Sequence, residues 1–272
     1  MRTCPDLNSR DIRVDTATFN DLTRNISPIE ELRRLGVLAR HGWTRGARPW
    51  LGVAIASATA LVSILLHFHV FTPELWRSGD VNASLPLTSE LARLPMSLLF
   101  PTPYLPLWAA CGQLLIVFGL GELILGRWLT VMVAIAGHFG STLVASVLLT
   151  TVHGNVFGLT PALAHALDTG PSAATTAVGA CLLVAARMNR CAMLLGLVLF
   201  AAAVIAPGVD GVEHVVALVC GLIAGVACLL VASKSTRIST TSSEKLWPSR
   251  VARITRVFRS PRSATAAMRD RS

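Results

Sequence analysis

The sequence predicts an all-α, polytopic membrane protein, and three observations carry that class. Of the 272 residues, 53% are hydrophobic and only 14% are charged, where a soluble domain carries about a quarter charged residues. The charges are also segregated. Between Trp50 and Ser233 lie apolar runs of about 20 residues without Lys, Arg, Asp or Glu, the length that crosses a bilayer core of ~30 Å. Finally, the basic residues are distributed as in a membrane protein of defined orientation. With the N-terminus in the cytoplasm, only Arg77 and Arg93 of the 24 Lys and Arg fall on the outer side, which favours an N-in/C-in arrangement.

Residues 1–48 form a basic cytoplasmic tail, mixed in charge and poor in apolar periodicity. The first apolar run begins only at Trp50, too late for an ordinary secretory signal peptide, so no cleavage is expected. Within the tail, Ser27-Pro28-Ile29-Glu30 places a capping Ser, a Pro at the first helical position and a Glu at the third. That order predicts a short helix over about 28–40. With Ile29, Leu32, Leu35 and Leu38 on one side and Arg33, Arg34 and Arg40 elsewhere, it reads either as an interfacial helix on anionic headgroups or as a solvated pre-membrane segment.

Residues 49–233 form the membrane domain, with six spans expected at about 50–70, 104–125, 128–151, 172–188, 191–208 and 214–233. Small residues are frequent in them, as close helix packing in lipid requires. The long outer loop 71–103, rich in proline and containing Leu98-Leu99-Phe100, can lie partly in the outer leaflet. The fourth span is short, so its outer end can sit inside the bilayer. Residues 234–272 form a second basic cytoplasmic tail, with Arg250, Arg253, Arg256, Arg259 and Arg262 three or four apart. The net charge of +9 lies mainly in these tails, which points to anionic membrane lipid and not to nucleic acid.

Five cysteines, Cys111, Cys181, Cys191, Cys220 and Cys228, fall in apolar runs, and Cys4 lies in the tail. Without a CxxC pair or finger spacing they read as small packing residues. His67, His69, His153, His165 and His214 fall near the outer side. His67 and His69 diverge on a helix, and no carboxylate spacing accompanies them, so no metal site is expected. Glu122 reads as the structural partner of Arg127, and mid-span His138 as the partner of a Ser or a backbone group.

Two positions carry candidate chemistry. The turn Asp168-Thr169-Gly170-Pro171 delivers Ser172 to the first turn of the fourth span, and Glu213-His214 opens the sixth. Both spans run from outside to inside, so Ser172 and His214 share a leaflet. Ser172, Thr176, Gly179 and Ala180 share one helix face; His214, Ala217, Gly221 and Gly225 share another. Two small-residue faces suggest direct packing of the two helices. A Ser hydroxyl is a weak nucleophile until a base such as His lies within hydrogen-bond reach.

These features resemble the rhomboid family. Its Gly-x-Ser-Gly nucleophile motif is similar to Gly170-Pro171-Ser172-Ala173 with Gly179 following. Its base motif is similar to His214 ahead of Gly221, and the ending of its second span to Gly119-Leu120-Gly121-Glu122-Leu123-Ile124-Leu125-Gly126-Arg127. The resemblance covers about residues 50–233 and looks closest to divergent rhomboid-like proteins of high-GC Gram-positive bacteria. It implies a multi-pass protein of the bacterial plasma membrane that cleaves membrane-anchored substrates with no metal or cofactor. Ser172 would be the nucleophile, held by the Gly170 turn, and His214 the base and then the acid. The family's oxyanion donors on the second span correspond to Pro106 and Ala110 here, with Gln113 one turn away as a substitute. That departure raises the alternative of an inactive member that binds or chaperones membrane helices. A small transporter or metal-binding protein is a third reading, against which stands the absence of an inverted repeat.

Overall fold

The computed structural model describes residues 27–70, 72–101, 105–151, 160, 163, 165 and 170–239, with side chains to residue 232 except that of Thr72. The described residues form helices α1 (Pro28–Thr44), α2 (Trp50–His67), α3 (Thr72–Gly79), α4 (Leu87–Ser97), α5 (Leu107–Ile124), α6 (Arg127–Thr151), α7 (Ser172–Ala185), α8 (Asn189–Ile205) and α9 (Val209–Ser239). Among these residues the fold is all-helical. The predicted spans each contain a helix, with shifted ends. The fifth stops at Ile205, the sixth starts at Val209 and the last helix continues past the expected boundary at 233. The five arginines from Arg250 to Arg262, Asp168, Thr169 and His153 lie outside the described residues.

Four of the helices, α2, α5, α6 and α9, are long and apolar enough to cross a membrane. The outward surface of the helical bundle is that of a membrane protein. Trp108 is 79% exposed and Ile205 82%, and Met132, Leu197, Phe200 and Ile223 are also exposed; water does not tolerate so continuous an apolar exterior. The remaining two apolar helices are shorter, α7 with 14 residues and α8 with 17. At 1.5 Å per residue α7 is about 21 Å long, short of a bilayer core of ~30 Å. Its environment explains how this is tolerated. Ala173, Ala174, Thr175, Ala177, Val178, Ala180, Cys181, Leu182 and Ala185 are all buried, so α7 is enclosed by its neighbours. Leu114 and Phe118 of α5, Val133 and Ala134 of α6 and Ala217 of α9 complete the core around it.

One end of the bundle is held by two buried carboxylates. The turn α5–α6 closes on Gly126, which has φ +88°, and Glu122 pairs there with the Arg127 Nε and Nη2 at 2.7 Å. The other oxygen of Glu122 accepts the Leu51 N–H at the start of α2, a helix with Pro49 at its N-cap and no side-chain cap of its own. Helix α8 likewise lacks a local side-chain cap. Glu31 of α1, only 5% exposed, accepts its Arg190 and Cys191 N–H groups at 3.3 and 2.9 Å. Each glutamate therefore satisfies the orphan amides of a neighbouring helix, where a negative charge also complements the helix dipole.

Helix α1 forms as its N-terminal signature predicts, with Ser27 Oγ accepting the Glu30 N–H at 3.3 Å. It runs on to Thr44 and is docked rather than solvated. Leu35 and Leu38 pack on the core, and a Cβ at Gly42 would overlap the carbonyl of Leu123. Ile29, Leu32 and Trp43 remain exposed, on a side that also carries Arg33 and Arg40. Substituting Glu31 by Ala is expected to release this helix, at a cost of about 1–3 kcal/mol for two amides left without their acceptor. Limited trypsinolysis checks this, through faster cleavage after Arg33 and Arg40 than in the parent chain.

The opposite end is covered by α3 and α4. This cap has its own small core, with Val81, Leu94 and Phe100 fully buried. The Phe100 ring lies against Gly79, where any side chain would collide with it, and 5.4 Å from the Trp76 ring. Ser146 of α6 donates to the buried Glu90 of α4, fastening the cap to the bundle.

Candidate functional site

Helices α7 and α9 pack closely and run in the same direction. A Cβ at Gly221 would overlap the carbonyl oxygen of Ala177 and lie 2.8 Å from the Ala180 Cβ. One turn on, a Cβ at Gly225 would lie 3.0 Å from the Cys181 carbonyl and 2.7 Å from the Val184 Cβ. Four residues along α9 thus match four along α7. Continued towards the cap, the same register sets Ser172 level with Glu213 and His214. It is the small-residue packing expected of Gly221 and Gly225, and it brings the two helix beginnings together at the capped end.

Detailed facing differs from expectation. The buried stripe on α9 is Glu213, Ala217, Gly221 and Gly225, with Glu213 only 4% exposed. His214 is half-buried at the edge of that stripe. It also lies in the second turn of α9 and does not open it, because the helix starts at Val209. Ser172 is the first residue of α7 and half-buried. It is not the cap. Pro171 holds that position, and its carbonyl accepts both the N–H and the Oγ1–H of Thr175, at 2.8 and 2.7 Å. Among the described residues no hydrogen bond joins Ser172 to His214.

Two supporting residues need correction. Gly179 faces open space, with nothing within 4 Å of a Cβ built on it, so it is no part of the α7–α9 contact. Gln113 is exposed on the outer side of α5, next to Leu115 and Ile116, while Leu114 and Phe118 point inward. A one-residue offset on a helix is about 100° of rotation, which turns the amide away from the core that surrounds Ser172. Ala110 is buried and Pro106 is the N-cap of α5.

Gly170 occupies the backbone conformation that its type suits, with φ +121°. Its N–H donates to the Ser97 carbonyl at 3.1 Å. Ser97 also meets His138, with 2.8 Å between Oγ and Nε2, the partner type expected for a mid-span histidine. Glu122 pairs with Arg127 as expected and lies at the other end of the bundle from Ser172. Of the outer histidines, His67, His69 and His165 are exposed. Among the described residues no three His, Cys, Asp or Glu side chains come together as a metal site would require.

Sequence reasoning overlooked three buried carboxylates: Glu31, Glu90 and Glu213. An acidic residue in or beside an apolar stretch was the available signal. Glu213 and Ser146 line a cleft of about 10 Å³ with Asn82, Thr142 and Val209. Away from it, α6 and α9 border an apolar groove of about 470 Å³, lined by Met132, Ala136, Cys220, Ala224, Cys228 and Val231 among others. The chain matches no protein-family model, and neither a curated protein nor a solved structure is significantly similar to it.

Proposed function

We propose that the chain is a rhomboid-like, six-span protein of the bacterial plasma membrane, N-in and C-in, that hydrolyses membrane-anchored proteins with Ser172 and His214. The observation that carries this reading is the parallel α7–α9 register, in which the first residue of the enclosed helix is level with a histidine on its closest neighbour. In the reaction, His214 takes the Ser172 hydroxyl proton as Oγ attacks a peptide carbonyl. The tetrahedral adduct collapses to an acyl-enzyme, and the proton passes to the leaving amine. Water then releases the acyl group by the same route, and neither metal nor cofactor enters. The hydroxyl and imidazole are half-buried, which leaves them a path to a substrate. The six-span reading is supported by the alternation of helix ends. The starts of α2 and α6 meet the end of α5 at the carboxylate-held end, where Glu31 of α1 also holds the start of α8, and α7 and α9 start at the other.

A second reading is a catalytically inactive protein that binds the membrane helices of client proteins. Three observations favour it: apolar or capping residues at Pro106 and Ala110, the outward Gln113, and the α6–α9 groove. Loss of one oxyanion donor costs about 100-fold to 1000-fold in rate.

Labelling with a fluorophosphonate serine probe separates the two. In the hydrolase, Ser172→Ala abolishes labelling and His214→Ala slows it by roughly 100-fold or more, the usual contribution of a general base. Labelling unaffected by both substitutions, or absent from the parent protein, rejects the hydrolase.

A further inference from the structure

We propose that the buried Ser97–His138 pair is a positioning device for the turn that carries Ser172; the role rests on the hydrolytic reading above. Ser97 ends α4 in the cap, His138 lies midway along α6, and they are 0% and 1% exposed. Ser97 has a single hydroxyl proton, which it donates to the Leu94 carbonyl at 2.9 Å. The bond of 2.8 Å to His138 therefore has Nε2–H as its donor and the serine oxygen as its acceptor. Committed in this way, Ser97 is not a nucleophile. Its proton is already placed, and no surface reaches it.

The same residue holds the Ser172 turn through its main chain. The Ser97 carbonyl accepts the Gly170 N–H at 3.1 Å, and Gly170 precedes Ser172 by two residues at φ +121°. Next to His138, Gly137 admits α7 to direct contact. A Cβ there would overlap the Cβ of Ala177 and lie 3.6 Å from the Ala173 carbonyl. One short stretch of α6 thus locates Ser172 twice, laterally through Gly137 and along the chain through His138, Ser97 and Gly170. An apolar pair of similar volume would fill the same space without a directional bond; a satisfied buried polar pair fixes one arrangement. The cap and the turn therefore move as one body, and the angle at which Oγ leaves α7 depends on a hydrogen bond from another helix.

The test uses the full chain, purified in detergent, as parent, His138→Leu, His138→Gln and Ser97→Ala. Two quantities are read: the rate of fluorophosphonate attachment to Ser172 in the folded fraction, and deuterium uptake by the peptide spanning Gly170–Ala174. His138→Leu and Ser97→Ala are expected to slow attachment by about tenfold, the order expected for one lost hydrogen bond, and to raise uptake. His138→Gln, whose amide can donate to Ser97, restores both. Parent-like rates and uptake in His138→Leu overturn the proposal. So does a folded His138→Gln that behaves like the leucine variant, because a donor at that place is what the role requires. If the leucine variant does not fold, Ser97→Ala decides by the same two readouts. If the parent takes no probe, the hydrolytic reading is what fails, and unchanged uptake in the variants would still overturn the clamp.

Discussion

Replacing Gly221 with valine is expected to separate α7 from α9 and leave little folded protein. The position has no room for a first side-chain carbon, since that atom would overlap the carbonyl oxygen of Ala177. Backbone oxygens of a helix cannot step aside as a flexible side chain can, so the helices must part. The parting exposes the core that Ala177, Val178 and Ala217 form between them. Overpacking of a side-chain core costs about 1–3 kcal/mol; a clash with backbone belongs to the exceptional class above about 4 kcal/mol. Gly179→Ala is the internal control. It lies on the same enclosed helix but faces open space, and it replaces a poor helix former by the best, so a change within about 1 kcal/mol in the stabilising direction is expected. Thermal unfolding of both variants in detergent distinguishes a contact-specific effect from a general sensitivity of α7 to substitution.

Glu122→Ala is expected to have the second largest effect. The wild-type carboxylate is 6% exposed and serves two helices, accepting from Arg127 with one oxygen and from the Leu51 N–H with the other. The ion pair alone is a modest contributor because the Arg127 side chain is 55% exposed and keeps water when its partner is lost. The amide is the costly part. Helix α2 has no cap of its own, so removing the acceptor leaves an N-terminal donor without a partner, at about 1–3 kcal/mol. Glu122→Gln keeps one oxygen as acceptor for Leu51 and gives up the charge and the oxygen that Arg127 donates to, so it should fall between alanine and the parent. Equal losses for Gln and Ala in a thermal unfolding experiment would assign the stabilisation to the ion pair instead.

Much of this architecture was legible in the sequence, for reasons that differ between elements. Apolar run length exposes helices such as α2, α5, α6 and α9, because the periodicity of burial hardly matters when both lipid and core are apolar. The Gly221–Gly225 contact was legible too, since a residue without a side chain is what close helix approach needs. Helix faces were harder. Helical spacing puts Gly179 on one face with Ala180, and His214 on one face with Gly221, yet Gly179 faces open space and the packed stripe on α9 is rotated towards Glu213. The spacing of small residues defines an interface only to within a neighbouring position. Gln113 failed for the same reason, one residue away from the inward Leu114. The trans-capping by Glu31 and Glu122 links residues distant in the chain, and a single sequence contains no trace of which amides they will reach. Ser97–His138 was half legible: a mid-span histidine demands a polar partner, but only the folded cap supplies its identity.

The central claim, that Ser172 is an activated nucleophile, is tested most directly by where a fluorophosphonate ends up. The parent protein is labelled to completion, digested, and the adduct located by mass spectrometry. The expected result is one adduct, on Ser172, absent from Ser172→Ala and greatly slowed in His214→Ala. An adduct on another serine, or none in a folded parent protein, would contradict it.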